Sequence, residues 1–600
     1  MGGELQNLLL LTSPLGDDTK PFQAGTLHAI GLEATEQLST PFLLSLDVVS
    51  TDKRLAPDAL LHQSVTVTVR RKDGTDRYFN GRVKHVSSGG VEHRGRWEYR
   101  LEVVPTLWFL SQSCDCRIFQ KKSAVDILRQ IFSEHEVQPV DFRVTGAQPV
   151  REYTTQFNES DLAFCHRLMQ ESGLFYYFVH EKSQHTLVVT NANQGFRTMT
   201  DPLHRVIAQG DNVDIISSWQ TAKTVSPGVA RHQDYDPTRP STPVTGTASA
   251  EDGGPGAGNR RTFLWPAMTM ENDVARDRAR YALEAEAARA GLADGTCHDP
   301  HFCPGFRFQI AHNPAAGGND FVVEATRHTA RDESWLGGTA PSSYEVSFTA
   351  FANTLRWRDP LTHPRPAMPG IYSAIVLGEG GEEIHTDRLG RIKVRLLFDH
   401  RKDTVAGMAI WARVMHAWAG NKWGWLHLPR VGTEVAVSFM SGDCDNPVVL
   451  GGFYHEQNLP IFDLPAEKTK MGFRSRSTMH GGTADYNELS FDDALGREML
   501  FMHAQRDHTL EVERDQADMI GRDRTTVVTR DETLNSREGD IHVEADSKTV
   551  TIKAAQAIRL VCGASSITLT PEGVSIETPT MSIEGGIDVT IKGGLVQIQP

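Results

Sequence analysis

Four soft ligands fall within seven residues at Cys297, His298, His301 and Cys303, in CHDPHFCPG. Thiolate and imidazole in such company suggest zinc, but structural zinc sites pair ligands two to four residues apart on either side of a larger loop. These four crowd one another too closely to wrap a tetrahedral ion, and the stretch reads as a turn between strands. Cys114 and Cys116, in SCDCRIF, alternate along a strand-like segment and should form a buried thiol pair on one face. Trp411, Trp418, Trp423 and Trp425 are interleaved with Arg413, Lys422 and Arg430. That combination can stack single-stranded bases; the competing reading is that the rings pack a barrel and its junction with the preceding domain. With 76 acidic residues, carboxylate pairs can be chosen anywhere and carry no weight. No G-x-S-x-G, H-E-x-x-H or phosphate loop occurs, so no catalytic residue, metal ligand or cofactor is expected.

The elements that would carry these residues come in two textures. Up to about residue 360 the chain reads as mixed α and β, with strand-like FLLSLDVVS, SVTVTVR and WEYRLEVVP. A first helix begins at the capping residue Ser123 and places Val125, Leu128, Ile131 and Phe132 on one face. A second follows Asn158 or Ser160, carries Leu162, Cys165, Leu168 and Met169, and stops at Gly173. The small, polar, glycine-rich TGTASAEDGGPGAGN (245–259) reads as a flexible surface loop, and a third helix spans 272–290 with a narrow face of small residues. From Pro369 the texture becomes compact all-β, five strands in about 90 residues, as in a small OB-type barrel. After Pro460, EKTKMGFRSRSTMHGG reads as a linker.

The final region repeats itself. Apolar-polar-apolar triplets recur at Ile541/Val543, Val550/Ile552, Ile558/Leu560, Ile567/Leu569, Val574/Ile576, Met581/Ile583, Val589/Ile591 and Val596/Ile598, seven to nine residues apart. A β-helix made by one chain needs roughly 18 residues to circle its own core, so eight residues make only one side. Three chains close a triangular prism, and each alone leaves its apolar row uncovered. Val543, Val550, Ile552, Ile567, Leu569, Val574, Ile576, Ile583, Val589 and Ile591 are assigned to that axis. A plain β-sandwich rarely keeps so even a spacing. The charge alternation in HTLEVERDQADMIGRDRTTVVTRDET reads as the solvated outer face of the first such strands.

The bulk numbers narrow the function classes. A chain of 600 residues implies roughly three to five structural units. A net charge of −15 opposes a general nucleic-acid or anionic-membrane binder. The N-terminus MGGELQNLLLLTSPLGDD has no basic segment before its four leucines, so Sec export is not expected. Seven scattered cysteines are not a disulfide framework and are expected to be reduced.

Three stretches together resemble the valine-glycine repeat (VgrG) spike proteins of type VI secretion systems, relatives of contractile-phage hubs and spikes. They are YTTQFNESDLAFCHRLMQESGLFYYF, then TDRLGRIKVRLLFDH with WARVMHAWAGNKWGWLHLPRVGTEVAVSFMSGDCDNPVVLGGFYH, and NELSFDDALGREMLFMHAQRDHTLEVERD. The resemblance implies a mixed α+β hub of two barrel-like subdomains with helices (1–365), an OB-fold neck (366–462), a transition segment (463–508) and an intertwined trimeric triangular β-helix (509–600). It further implies a homotrimer seated on an inner-tube protein at its hub end, with a PAAR-type tip protein at the other and effector or adaptor proteins as cargo. Nucleic acid has no part in it, and membrane contact is by mechanical puncture. Such a protein is cytoplasmic before firing and then delivered to a target cell or the medium. No lysozyme-like insertion separates barrel and repeats and no domain follows residue 600, so enzymatic activity is not expected. The rivals are the hub-spike of a phage or extracellular contractile particle and a spike that hydrolyses peptidoglycan. Three copies of LVQIQP would end in a flat triangle of open backbone and apolar side chains. The tip protein is therefore expected on Leu595, Val596, Gln597, Ile598, Gln599 and Pro600.

Overall fold

The structure, a computed structural model, describes residues 7–17, 26–71, 74–208, 212–251, 253–313, 318–336, 341–401 and 409–598. Residues up to Asp507 form one body and those from His508 a second. Among the described residues no helix is long and apolar enough to cross a membrane.

Strands dominate the first body, and its core is a thirteen-stranded sheet. The strand Asp320–Arg331 is its hinge line: on one side it pairs with His28–Gln37, on the other with Ser343–Ala352. From Ser343–Ala352 the sheet passes through Leu292–Cys297, Ile215–Thr221, Arg197–Val206 and Phe306–Ala311, and the last pairs back onto Asp320–Arg331. That half therefore closes on itself around Phe302, Phe308, Phe321 and Phe348. The other half, through Thr40–Ser50, Arg96–Val104, Arg77–His93, Ser64–Val69 and Leu9–Ser13, has no closing ladder among the described residues. Its alternating apolar side chains share a core with the two helices that follow.

Helix α1 (Ala124–Glu134) starts where local chemistry dictates: Ser123 caps it, and Asp126 reaches back to complete a capping box. Helix α2 (Asp161–Glu171) is capped by Ser160, and the chain leaves it through Gly173 at φ 66°, a left-handed conformation that glycine adopts at little cost. Helix α3 (Asn272–Ala290) lies on a separate three-stranded sheet, Val229–Asp234, Val244–Ser249 and Arg261–Leu264. Here the expected flexible loop at 245–259 needs correction, because its first residues are the strand Val244–Ser249. They are small because a helix backbone rests on them: a Cβ at Gly246 would lie 2.1 Å from the backbone of Ala275 and Arg276. Ala230, Ala248, Ala279 and Leu283 fill the remaining contact.

The OB-type barrel is closed by Tyr372–Leu377, Ile392–Leu396, Ile410–Val414, Pro447–Gly452 and Glu434–Phe439. Its inward positions are Ala374, Val376, Ile392, Val394, Leu396, Ile410, Val435, Val437 and Val449, every second residue of each strand as a half-buried sheet requires. The expected linker after Pro460 instead carries an antiparallel sheet of Lys470–Arg474, Glu488–Asp492 and Met499–His503.

In the second body, three successive repeats, Ile558–Cys562, Ser565–Thr570 and Gly573–Glu577, zip into an antiparallel meander. The prism reading has each repeat turn to the next face. In the single chain, Gly563 at φ 56° and the Pro571-Glu572 pair close hairpins instead, a choice open to strands whose nearest partners are their own neighbours.

Gly246→Val should lower the first thermal unfolding transition of the protein by the equivalent of about 1–3 kcal/mol, the cost of overpacking a filled contact. An unchanged calorimetric profile would mean that α3 does not bear on this strand.

Candidate functional site

The chemistry suggested by CHDPHFCPG dissolves once the side chains are placed. Cys297 ends a strand inside the phenylalanine core, and His298 Nδ1 lies 2.7 Å from the Tyr344 carbonyl. His301 Nδ1 sits 3.1 Å from Asp299 and 3.0 Å from Arg71. Cys303 Sγ turns the other way, 3.5 Å from both Glu36 and Arg77. The four potential ligands thus each have different partners, and burial pushes the Cys297 and Cys303 thiols up, away from the thiolate form. The buried Glu36 is held down to about 2: burial opposes ionisation, but His180 at 2.8 Å and Arg77 outweigh it.

Two other expectations are corrected. Cys114 is exposed and Cys116 only partly covered, because their strand, Cys114–Ser123, belongs to a two-stranded ribbon and not to a covered sheet. Of the four tryptophans only Trp411 packs on the barrel, stacked on His385 and flanked by Arg391 and Lys393. Trp418, Trp423 and Trp425 are exposed.

That ribbon, Cys114–Ser123 with Val150–Ser160, is the joint between hub and barrel. Ile118 enters the barrel's apolar cluster, and the Phe157 ring meets Tyr372 at 5.6 Å and Phe398 at 5.1 Å. Polar contacts fix the register. The Thr155 amide donates to Asp445 Oδ1 at 2.7 Å, the Ile118 amide to Asp399 at 3.3 Å, and the Tyr153 hydroxyl to the Asp445 carbonyl.

Beneath the ribbon lies a knot of buried charge. Arg365 Nε donates to Glu171 at 2.8 Å while its Nη1 faces Asp443 at 2.9 Å and Asp445 at 3.0 Å. Glu171, at the end of α2, also meets Arg151 at 2.8 Å and Arg278 at 3.3 Å. Arg167, with no exposed surface, clamps Glu159 through two bonds of 2.8 and 2.7 Å. Four guanidinium groups thus face four carboxylates. Burial alone would raise the Glu171 pKa, but Arg365, Arg151 and Arg278 hold it well below the usual range. Burial, only partly offset by Glu171, brings Arg278 down to about 10. Asp443, Cys444 and Asp445 are the one group of ligating atoms that converges among the described residues. The Arg365 guanidinium already occupies the place of a cation there.

The assigned axis residues are all exposed in the single chain, from 37% for Leu569 to 70% for Val543. The meander brings six apolar residues onto one face: Ile558 opposite Leu569, Leu560 opposite Ile567, and Ile567 and Leu569 opposite Ile576 and Val574. Val543, Val550, Ile552, Ile583, Val589 and Ile591 lie outside any strand ladder of their own chain. Leu595, Val596, Gln597 and Ile598 are exposed, and Gln599 and Pro600 lie outside the described residues.

A second apolar face went unnoticed in the sequence. In the sheet after the barrel, Met471, Phe491 and Leu500 stand opposite one another, as do Phe473, Leu489 and Met502, and all but the half-buried Leu489 are exposed. The period-two alternation of MGF, LSF and LFM carried the signal.

Replacing Arg365 by Met should loosen the joint by about 3–5 kcal/mol, since Glu171, Asp443 and Asp445 would remain buried without their main partner. Calorimetry should then show the barrel melting apart from the hub; co-melting at the wild-type temperature would contradict this. Because Glu36 and Glu171 have depressed pKa values in the fold, their stabilisation is complete above the ordinary 4.5 and is lost as pH falls below it. Unfolding followed from pH 6 to pH 3 should show a midpoint that drops steeply only below about 4.5.

Residues 35–334 match the phage tail baseplate hub (GPD) family, 382–454 the type VI secretion system/phage-baseplate injector OB domain, and 471–572 the bacteriophage T4 gp5 C-terminal trimerisation domain. The chain is 30% identical to the type VI secretion system spike protein VgrG1c of Pseudomonas aeruginosa over 528 residues, spanning 85% of this chain and 70% of the relative. It is 30% identical to VgrG1a of the same organism, over 85% of this chain and 79% of that one. The E. coli c3393 protein, a type VI component similar to phage T4 gp27 and gp5, shares the fold with a TM-score of 0.52 at 20% identity, over 74% of this chain and 99% of that one. With a hub, an OB barrel and a trimerisation region in this order, the chain belongs to the VgrG family of type VI secretion system spike proteins.

Proposed function

We propose that three copies of this chain form a rigid spike whose repeats, from about 509 onward, wind into a triangular β-helix with Val543, Val550, Ile552, Ile567, Leu569, Val574, Ile576, Ile583, Val589 and Ile591 along its axis. The observation that carries the reading is the recurrence, every seven to nine residues, of apolar side chains left to water in one chain. Each fully covered Val, Ile or Leu contributes roughly 1.5–3 kcal/mol. Met471, Phe473, Phe491, Leu500 and Met502, in the sheet that lies at the start of the trimerisation match, are exposed as well. In this reading residues 1–365 form the hub, 366–462 the neck, 463–508 the first trimer-facing sheet and 509–600 the needle.

The action is mechanical. The ionisable clusters of the hub and its joint are consumed in internal ion pairs, as suits a part that must carry load. The hub end receives thrust from the inner-tube protein, the needle is driven through a target membrane, and a PAAR-type tip on Leu595–Pro600 brings effectors with it. The protein is held in the cytoplasm and leaves it on firing.

Val589→Asp or Ile591→Asp sets three carboxylates on the axis, at several kcal/mol for each buried unpaired charge. Sedimentation should show loss or marked destabilisation of the trimer; a trimer of wild-type thermal stability would place these residues off the axis. Removing residues 595–600 should abolish capture of a PAAR-type tip without dissociating the chains. Retained capture would move the docking surface elsewhere.

A further inference from the structure

The tryptophans that sequence reading connected with either bases or the barrel have a third role, which rests on the trimer reading. Ala419–Gly420 and Trp423–Gly424 form a two-stranded ribbon turned by Asn421 and Lys422, the latter at φ 67°. The Trp425 amide donates to the Trp418 carbonyl at 2.8 Å and closes its base. Trp418 and Trp423 meet edge to face at 5.1 Å. Trp423 lies across Gly420 so closely that a Cβ there would sit 2.2 Å from the ring. Trp418 and Trp423 are therefore preorganised against one another, at 64% and 58% exposure, and Met415, Trp425 and Leu426 close by in sequence are exposed too. Apolar surface of this kind left in water marks an interaction site, and aromatic rings of this type are the usual anchors of protein interfaces.

The surroundings identify the partner. Just beyond the ribbon, Arg430 donates to the Arg476 carbonyl at 2.7 Å, and Glu383, which faces Arg430, accepts from the His480 amide at 2.7 Å. The ribbon thus springs from the side of the barrel to which the start of the trimerisation region is pinned. In a trimer joined through that region, the ribbon of each copy would have the barrel of another copy within reach. Rings packed on one another, in a chain of net charge −15, suit an apolar protein surface better than the phosphate-flanked stacking of a single strand.

We propose that the ribbon 418–425 of each copy seats on the OB barrel of a second copy and locks three barrels into a closed collar. The test places the photo-crosslinker benzoylphenylalanine at Lys422 of the full chain, beside sedimentation of the same preparation. Irradiation should join two or three chains, with attachment points within residues 366–462 of another copy. Adding Trp423→Ser should cut that product about tenfold or more, the loss of an aromatic anchor, while the sedimenting species stays a trimer. A trimer that cross-links only within its own chain, or only outside the barrel, would overturn the collar and leave the trimer reading standing. A monomer on sedimentation would overturn both. Binding of a labelled single-stranded oligothymidylate that Trp423→Ser abolishes would overturn the collar in favour of nucleic acid.

Discussion

Eight residues of extended chain cover about 26 Å, enough for one side of a prism and its corner and too little to enclose anything. From Ile541 to Ile598 this chain places its apolar residues at that spacing, so in the proposed trimer each copy supplies a third of a core. The second body accordingly holds one short meander among its described residues and leaves its valines, isoleucines and leucines in water. In the proposed trimer, identical rows from other copies would cover those side chains and pair the backbone, giving a rod without hinges. Stiffness and trimerisation follow from one repeat length.

A stiff rod is useful only if its mounting does not yield, and the joint between hub and barrel is built accordingly. Ile118 and Phe157 supply apolar contact, but apolar contact alone tolerates sliding. The four arginines and four carboxylates around Glu171 and Arg365 do not, because each bond has a direction and any shift strands a buried charge. Helix α2 delivers Glu171 at its last turn, the ribbon delivers Arg151 and Glu159, α3 delivers Arg278, and the barrel delivers Asp443 and Asp445. Two helices, the ribbon and the barrel are thereby tied to one point.

Features governed by near neighbours were legible in the sequence. Helix starts at Ser123 and Ser160 and the stop at Gly173 follow from capping chemistry, and the barrel from alternation between glycine-marked turns. What escaped depends on distant partners. Arg365 meets Glu171 across 194 positions and Asp443 across 78, and nothing local marks the pairing. The strand Val244–Ser249 passed for a loop because its small residues answer to the backbone of α3, not to solvent. Charged neighbours obscure the sheet 470–503, and alternation in a strand does not say whether either face is covered, so Cys114 and Cys116 lie exposed and half-exposed on a two-stranded ribbon.

Amide hydrogen exchange across residues 541–598 of the intact protein, read together with its native mass, tests the shared core most directly. The expected result is a three-chain mass with these amides protected over hours. A single-chain mass, or a three-chain mass in which this segment exchanges as fast as unstructured peptide, would contradict a core assembled from three copies.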